Sequence, residues 1–144
     1  MASWSDVEAQ APELATSARR YFDAFTHKTL ATLRRDGSPR ISGTETEFTD
    51  GELWIGSMWR AVKALDLQRD PRFALHSGSP DPSGWTGDAK VAGRMEEVTE
   101  PGATSHRFRA EITELVVVRL GEPADHIVIE SWHEGRGLTS LRRD

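Results

Sequence analysis

The chain has 144 residues, of which 37% are hydrophobic and 28% charged, and its net charge is −5. This length and composition indicate a single domain, over residues 1–144, with its own hydrophobic core. The acidic balance argues against nucleic acid as the main partner, because binding to phosphates requires a basic surface. The lack of cysteine excludes disulfides and thiolate metal sites, and it is typical of a cytoplasmic protein.

The sequence shows no signal for a membrane or for export. No apolar run approaches the roughly 20 residues that cross a bilayer. The first six residues have neither the basic start nor the apolar core of a secretory signal. We therefore expect a soluble cytoplasmic protein without a membrane partner.

The N-terminal part of the chain carries helix signals. Ser5 followed by Glu8 fits a capping box, and Pro12 suits the first turn of a further helix. Apolar residues then recur at helical spacing between positions 14 and 25. This pattern predicts an amphipathic helix over residues 12–25 that covers a flat surface.

Short runs of strand-forming residues follow, separated by turn signals. Residues 29–33 predict a first strand, residues 40–48 a second and residues 52–55 a third. The turn signals between them are Arg-Asp-Gly-Ser at 35–38 and Asp-Gly at 50–51. Strands joined by such tight turns pair antiparallel.

The rest of the chain continues this pattern. A helix is predicted over residues 58–68, ending before Asp-Pro at 70–71. Residues 78–88 form a long polar connection, residues 103–109 predict a short helix, and the last glycines indicate a loose tail. The remaining predicted strands cover residues 72–77, 90–98, 115–118 and 127–129.

These elements favour a mainly β fold. Six or seven antiparallel strands with few helices predict a small closed barrel, because closure removes exposed strand edges. A barrel of this size has no large internal cavity. We therefore expect a sizeable ligand to bind on the outside, between two subunits.

The segment from Ser57 to Lys63 is the strongest candidate for a binding site. Ser57 can cap the predicted helix and leave its first backbone N–H groups free for an anion. Arg60 and Lys63 are three residues apart, so on a helix they project from the same side. The N–H groups, the helix dipole and the two cations together predict a phosphate site. The alternative is an ordinary capped helix with solvated charges.

Four segments follow one another in a familiar order and spacing. They are Thr-Leu-Ala-Thr-Leu at 29–33, Asp-Gly-Ser-Pro-Arg at 36–40, Leu-Gln-Arg-Asp-Pro-Arg at 67–72 and Asp-Ala-Lys-Val-Ala-Gly-Arg at 88–94. In these segments the chain resembles the pyridoxamine 5'-phosphate oxidase-like family of flavin-binding split barrels. The resemblance implies a six- to seven-stranded antiparallel split β-barrel with flanking helices. It also implies a homodimer with two flavin sites at the subunit interface.

The resemblance further implies which cofactor is bound and where. The implied cofactor-binding residues are Arg40, Ser42 and Thr44 along the edge of the isoalloxazine ring, and Ser57, Arg60 and Lys63 at the phosphate. FMN is the expected cofactor, and the deazaflavin coenzyme F-420 is the alternative. Coenzyme F-420 has a long anionic tail that requires a basic groove. The net charge of −5 does not indicate such a groove.

From this resemblance we expect a flavin-dependent oxidoreductase. The cofactor would transfer hydride to or from a small-molecule substrate, while the protein supplies binding, orientation and shielding from water. The alternative is a non-catalytic binding or carrier protein of the same fold for flavin, deazaflavin or haem. The sequence lacks the longer C-terminal region in which true pyridoxamine phosphate oxidases place their substrate motif, so that activity is not expected.

Four residues are candidates for contacts with the substrate. Trp132, His133 and Arg136 can reach across a dimer towards the flavin or an anionic substrate, where arginine is a forked donor and histidine a proton donor. Trp85 can act as a lid over the ring. The alternatives are a terminal segment pinned by a buried tryptophan and a hydrophobic plug under the long loop. The five histidines show no metal-ligand spacing, so no metal site is expected.

Overall fold

A nine-stranded antiparallel sheet dominates the computed structural model, which describes residues 1–80 and 82–144. Three α-helices accompany it in these residues: α1 (Trp4–Gln10), α2 (Pro12–Asp23) and α3 (Val62–Arg69). The strands are β1 (Lys28–Leu33), β2 (Pro39–Thr44), β3 (Thr46–Thr49), β4 (Glu52–Met58), β5 (Arg72–His76), β6 (Gly87–Glu97), β7 (Ser105–Leu120), β8 (Ile127–His133) and β9 (Gly137–Arg143). The predicted mainly β fold is therefore confirmed.

The sheet curls until its two edges approach each other. Seven strands follow the order β2-β1-β5-β6-β7-β4-β3, so β2 and β3 lie at opposite edges. If the sheet were flat, these edges would be roughly 29 Å apart. Glu45 alone connects β2 to β3, and two steps of chain span only about 7 Å. The sheet must therefore curl into a barrel with a seam at Glu45.

The seam corrects the predicted second strand. Residues 40–48 do not form one strand, because the chain bends at Glu45. β2 then pairs with β1, where Ile41 lies opposite Ala31, and β3 pairs with β4, where Glu47 lies opposite Trp54. One short segment of chain thus forms both edges of the barrel.

The prediction of a short helix over residues 103–109 is wrong. β7 begins at Ser105 and pairs with both β4 and β6. Its side chains alternate across the sheet, with His106, Phe108 and Ala110 buried and the residues between them more exposed. The ladder bonds to two neighbours hold this segment extended.

A bulge divides β7 into two halves. Thr113 has no partner in β6, because the register shifts between Ala92 and Gly93. A β-carbon on Gly93 would overlap the backbone carbonyl of Glu111, so the close approach requires glycine here. The first half of β7 pairs with β4 and the second half with β8. The bulge therefore lies where the barrel gives way to the β8–β9 hairpin.

The C-terminal residues form this hairpin instead of the predicted loose tail. β8 pairs with β9 from Ile127 to His133, and the chain reverses through Gly135, which has a φ of 79°. Along β9 nearly every residue is exposed. Leu138 and Leu141, for example, are 55% and 56% exposed.

The helices α1 and α2 cover the sheet at β6 and β7. As predicted, α2 is amphipathic, and it buries Leu14, Ala18 and Phe22. A capping box opens α1, but Ser3 and Asp6 form it, two residues earlier than predicted. Within the described residues, none of the helices has the length and apolar character needed to cross a membrane.

Candidate functional site

Ser57 does not cap α3, which corrects one part of the predicted phosphate site. β4 runs on through Met58 because both residues pair with β7. The Ser57 side chain is buried, and its Oγ donates to the carbonyl of Met58 at 3.0 Å. The helix starts only at Val62, after the N-cap residue Ala61, and has no side-chain cap. Its first N–H groups therefore lack a side-chain acceptor and can bind an anion from outside.

Arg60 lies in the turn before α3 and not on the helix. Its φ is 59°, a left-handed conformation that costs a residue with a side chain roughly 1–2 kcal/mol. Its backbone N–H donates to Nε2 of His106 at 3.1 Å, which holds the turn. The helical spacing argument for Arg60 and Lys63 is therefore wrong, although both residues flank the same helix end.

Lys63 ties α3 to β2. Its Nζ donates to the carbonyl of Gly43 at 2.9 Å. Burial lowers the pKa of Lys63, and the attraction of Glu45 opposes this shift. A partly desolvated ammonium group interacts more strongly with an anion than a fully solvated one. The cation therefore lies where α3 meets the seam of the barrel.

The β2 side chains predicted along the ring edge are less exposed than the residues that alternate with them on the strand. Arg40 and Ser42 are half-buried and Thr44 is buried, whereas Ile41 and Gly43 are exposed. Thr44 is only 4% exposed, so its side chain cannot contact a ring on the outside. Cofactor binding by Arg40, by Ser42 and by the main chain of Thr44 stays a prediction.

A hydrogen-bond network around Asp66 holds α3 against β1 and β2. Asp66 accepts from Thr32 Oγ1 at 2.8 Å, from Arg40 Nε at 2.7 Å and from Arg69 at 3.0 Å. Burial alone would raise the pKa of Asp66, but the hydrogen bonds from Arg40, Thr32 and Arg69 together lower it. The carboxylate therefore stays ionised and fixes the helix over the two strands.

Exposed glycines leave bare backbone beside the seam. At Gly43 no atom lies within 4 Å of the place of a β-carbon, and at Gly56 the nearest atom is 3.8 Å away. A groove of about 310 Å³ includes Gly56. Its other lining residues are Glu45, Thr46, Glu47, Trp54, Ile55, Ser105, His106 and Arg107. The Oγ1 of Thr46 is buried and finds no hydrogen-bond partner within the described part of the chain.

A second groove, of about 530 Å³, lies between the β1–β2 turn and α3. It is lined by Arg34, Arg35, Arg40, Arg69, Asp36 and Asp66, and by the exposed apolar residues Val62 and Leu65. Its four arginines and two aspartates leave two net positive charges. A local basic groove therefore exists although the chain as a whole is acidic.

His106 is the site residue that the sequence analysis missed. Its side chain is 4% exposed. The ring stacks on Trp59 at 4.4 Å with an interplanar angle of 7°, and Nδ1 lies 2.7 Å from a carboxylate oxygen of Glu97. A lone histidine has no spacing signal, but its alternation with Phe108 and Ala110 marks it as an inward position on a strand.

The two tryptophans predicted near the substrate have different surroundings. Trp132 is 1% exposed, and its Nε1 donates to Gln10 at 3.0 Å. It is a core residue that pins β8 to α1, which corrects its predicted contact with substrate. Trp85 is half-buried and donates to Asp88 at 3.2 Å, so its role as a lid stays a prediction. The predicted long connection that contains Trp85 also includes Asp81, which lies outside the described residues.

The structure brings His133 and Arg136 together at the β8–β9 turn. They line a shallow groove of about 610 Å³ with Glu114, to which His133 Nε2 is hydrogen-bonded at 3.1 Å. Thr113 of this groove is seven residues along β7 from His106, so these two residues are roughly 23 Å apart along the strand in the same subunit. Contact with substrate across a dimer stays a prediction. In the described ranges, no group of three potential metal ligands occurs.

No protein-family model and no curated protein matches this sequence. Solved structures do match. A pyridoxamine 5'-phosphate oxidase-related, FMN-binding protein from Nostoc punctiforme is 14% identical, with 100% of this chain and 98% of that chain covered and a TM-score of 0.62. A haem-binding protein from Mycobacterium smegmatis is 15% identical, with 86% and 85% covered and a TM-score of 0.58. An F-420 reductase is 17% identical, with 68% and 94% covered and a TM-score of 0.55.

These similarities establish the fold. The chain has the architecture of the pyridoxamine 5'-phosphate oxidase-like split barrels, as the resemblance in its sequence implied. Proteins with this architecture include ones named for binding FMN or haem and one named as an F-420 reductase.

Proposed function

We propose that this protein is a flavin-dependent oxidoreductase that binds FMN at a homodimer interface and transfers hydride to or from a small-molecule substrate. The observation that supports it best is the junction of α3 with β2. An uncapped helix start, Arg60 and Lys63 lie there beside bare backbone. The phosphate would bind at the helix start, and the ring would lie along the seam.

The residues present fit the two parts of FMN. The phosphate carries up to two negative charges, which two cations and free helix N–H groups stabilise. The ring is flat, and the exposed Gly43 and Gly56 leave no side chain in its way. The groove of about 310 Å³ is within the roughly 300–1,000 Å³ of small-molecule sites.

When bound, FMN supplies the hydride chemistry at its ring. The residues of the chain bind and orient it. Arg60 and Lys63 hold the phosphate, and the main chain at the seam supports the ring. No side chain has to act as a nucleophile, so the site requires only binding, orientation and exclusion of water.

A homodimer is part of this proposal. Five large apolar side chains are exposed on β2, at the end of β4, in the turn that follows it and on α3: Ile41, Met58, Trp59, Val62 and Leu65. We name this set the apolar patch. The bonds from Lys63 to Gly43 and from Arg40 to Asp66 hold these elements together. Apolar surface concentrated beside a site is typical of an interface, so a second copy would complete the site.

Loss of either cation should weaken cofactor binding. We expect Arg60→Ala and Lys63→Ala each to raise the Kd of FMN about 10-fold or more, because a hydrogen bond to a charged group contributes about 1.5–3 kcal/mol. Arg142→Ala is the matched control, since Arg142 lies on β9 and pairs only with Asp144 among the described residues. Quenching of FMN fluorescence measures the Kd. If both variants keep the wild-type affinity, the phosphate assignment is wrong.

The arginine-lined groove favours coenzyme F-420 as a second candidate. Its four arginines provide the local basic surface that a long anionic tail requires. Arg35 pairs with no residue in the part of the chain that the structure describes, so its guanidinium is available to a ligand. An F-420-dependent oxidoreductase would use the same seam for its ring and this groove for its tail.

Arg35→Ala distinguishes the two cofactors. If the long anionic tail lies in the groove, the variant should raise the Kd of coenzyme F-420 about 5- to 10-fold and leave the Kd of FMN unchanged, because FMN ends at its phosphate and lacks that tail. Fluorescence titration of both cofactors gives the values, with Arg142→Ala again as control. Tighter binding of FMN, with no effect of Arg35→Ala on coenzyme F-420, would leave FMN as the cofactor.

A non-catalytic carrier of flavin, deazaflavin or haem is the alternative function for the same fold. The absorption spectrum of the purified protein separates these ligands. An oxidoreductase should be bleached by reduced nicotinamide or reduced coenzyme F-420 and should regain its colour in air. A bound flavin that neither reductant bleaches would favour the carrier.

A further inference from the structure

We propose that His106 is a positioning residue for the cofactor phosphate: as a neutral imidazole, it holds the turn that places Arg60 and the start of α3. The proposal rests on the function proposed above, because it concerns the same phosphate site. It adds a residue that no sequence pattern indicated.

The two hydrogen bonds of His106 require one tautomer. Nε2 faces the backbone N–H of Arg60 at 3.1 Å, and an N–H can only donate, so this nitrogen must carry a lone pair. Nδ1 faces a carboxylate oxygen of Glu97 at 2.7 Å, which can only accept, so this nitrogen must carry the proton. Both bonds exist together only in the neutral ring with the proton on Nδ1.

Glu97 is held as a carboxylate and so can fix this tautomer. Burial alone would raise the pKa of Glu97, but hydrogen bonds from Thr99, Gln68 and His106 together lower it. Gln68 belongs to α3 and donates to Glu97 at 2.8 Å. One series of hydrogen bonds therefore connects the two ends of α3. It starts at Gln68 in the last turn of the helix and passes through Glu97 and His106 to Arg60, in the turn before the helix begins.

The turn needs this support because its backbone is strained. Arg60 has a φ of 59° without being glycine, a left-handed conformation that is unfavourable for a residue with a side chain. The bond to His106 offsets part of that cost, and Trp59 stacks on the same imidazole at 4.4 Å. Removal of the acceptor would release Arg60 towards right-handed conformations. The position of Arg60 relative to the first N–H groups of α3 would then change.

Substitutions can separate the two bonds of His106. His106→Asn has an amide at the place of Nδ1, so it keeps the donor to Glu97 and loses the acceptor for Arg60. His106→Gln has a longer side chain, and its carbonyl oxygen can accept from Arg60. His126→Gln is the control for loss of a buried histidine, because His126 pairs with Asp125, outside this site.

The experiment has two readouts. Hydrogen exchange of the Arg60 amide, measured by NMR without cofactor, should be about 10-fold faster in His106→Asn than in the wild type and close to wild type in His106→Gln. The Kd of FMN should rise about 5- to 10-fold in His106→Asn only, which corresponds to the loss of one hydrogen bond of about 1 kcal/mol. His126→Gln should change neither.

The outcomes separate this proposal from the proposed function. If the wild type binds no FMN, coenzyme F-420 or haem, the proposed function fails, and the exchange rate of Arg60 still tests whether His106 holds the turn. If the wild type binds FMN and His106→Asn binds equally well, His106 is not a positioning residue. Equal Arg60 exchange in wild type and His106→Asn would overturn the role of the hydrogen bond as well.

Discussion

Asp66 shows how a single side chain can organise the site without touching a ligand. It is 3% exposed and accepts hydrogen bonds from Thr32 on β1, Arg40 on β2 and Arg69 on its own helix. A buried carboxylate is stable only when it is paired and hydrogen-bonded. Here the pairing also keeps α3 at a fixed height over β2, and Lys63 depends on that height for its bond to Gly43.

Substitution of Asp66 should destabilise the protein. We expect Asp66→Asn to lower the free energy of unfolding by about 2–3 kcal/mol, because hydrogen bonds to two guanidinium groups are weakened together. Asp23→Asn is the control, since the Asp23–Arg19 pair is exposed on α2 and should contribute less than about 0.5 kcal/mol. Urea unfolding at pH 7 measures both. A loss no larger than that of the control would contradict this role for Asp66.

The same carboxylate gives an expectation for pH. The native pKa of Asp66 lies below the ordinary value of 3.8, so the unfolded chain binds more protons than the native one near that value. Its stabilisation is therefore complete above the unfolded pKa and is lost as the pH falls through the native pKa. Below pH 4 the stability of the wild type should fall more steeply than that of Asp66→Asn.

At the residue scale, sequence alone found the cations of the site but not their arrangement. Arg60 and Lys63 stand out as positive residues after a strand. Whether Arg60 lies on the helix depends on pairing between β4 and β7, which are separated by some 46 residues of chain. His106 was missed for the same reason, because its partners Arg60 and Glu97 are close to it only in the folded chain.

At the scale of elements, the largest error concerns β7, and the bulge explains it. Before Thr113 the buried positions are even-numbered, as at His106 and Phe108, and after it they are odd-numbered, as at Leu115 and Val117. A search for simple alternation therefore finds two short patterns of opposite phase instead of one long strand. Only the second half, with its run of valines, is apolar enough to be predicted as a strand.

The seam has a similar origin. The sequence of residues 40–48 predicts one extended segment, and the segment is extended in the structure. The bend at Glu45, however, divides it into two strands with different neighbours. Periodicity reports which side of a strand is buried and does not report which strand lies next to it. The strand order could be predicted only through the resemblance to a known family.

At the scale of the whole molecule, the apolar patch should determine the oligomeric state. We expect a homodimer in sedimentation velocity, and we expect Met58→Glu to shift it to the monomer, because Met58 is 78% exposed within the patch and a carboxylate there would be buried without a partner. Leu141→Glu is the control on β9, where Leu141 is 56% exposed. A wild-type monomer would contradict the dimer. If Leu141→Glu dissociates the dimer and Met58→Glu does not, the interface lies at β9 and not at the apolar patch.

The seam at Glu45 has a consequence for how this site is recognised. β2 and β3 each have a neighbour on one side only, so both strands offer amide and carbonyl groups that the barrel itself does not use. A heterocycle resting there would be read by peptide groups and not by distinctive side chains. Peptide groups are the same whatever the residue type. Such a pocket can persist while nearly every residue around it is substituted, so the structural similarity outlasts the sequence similarity.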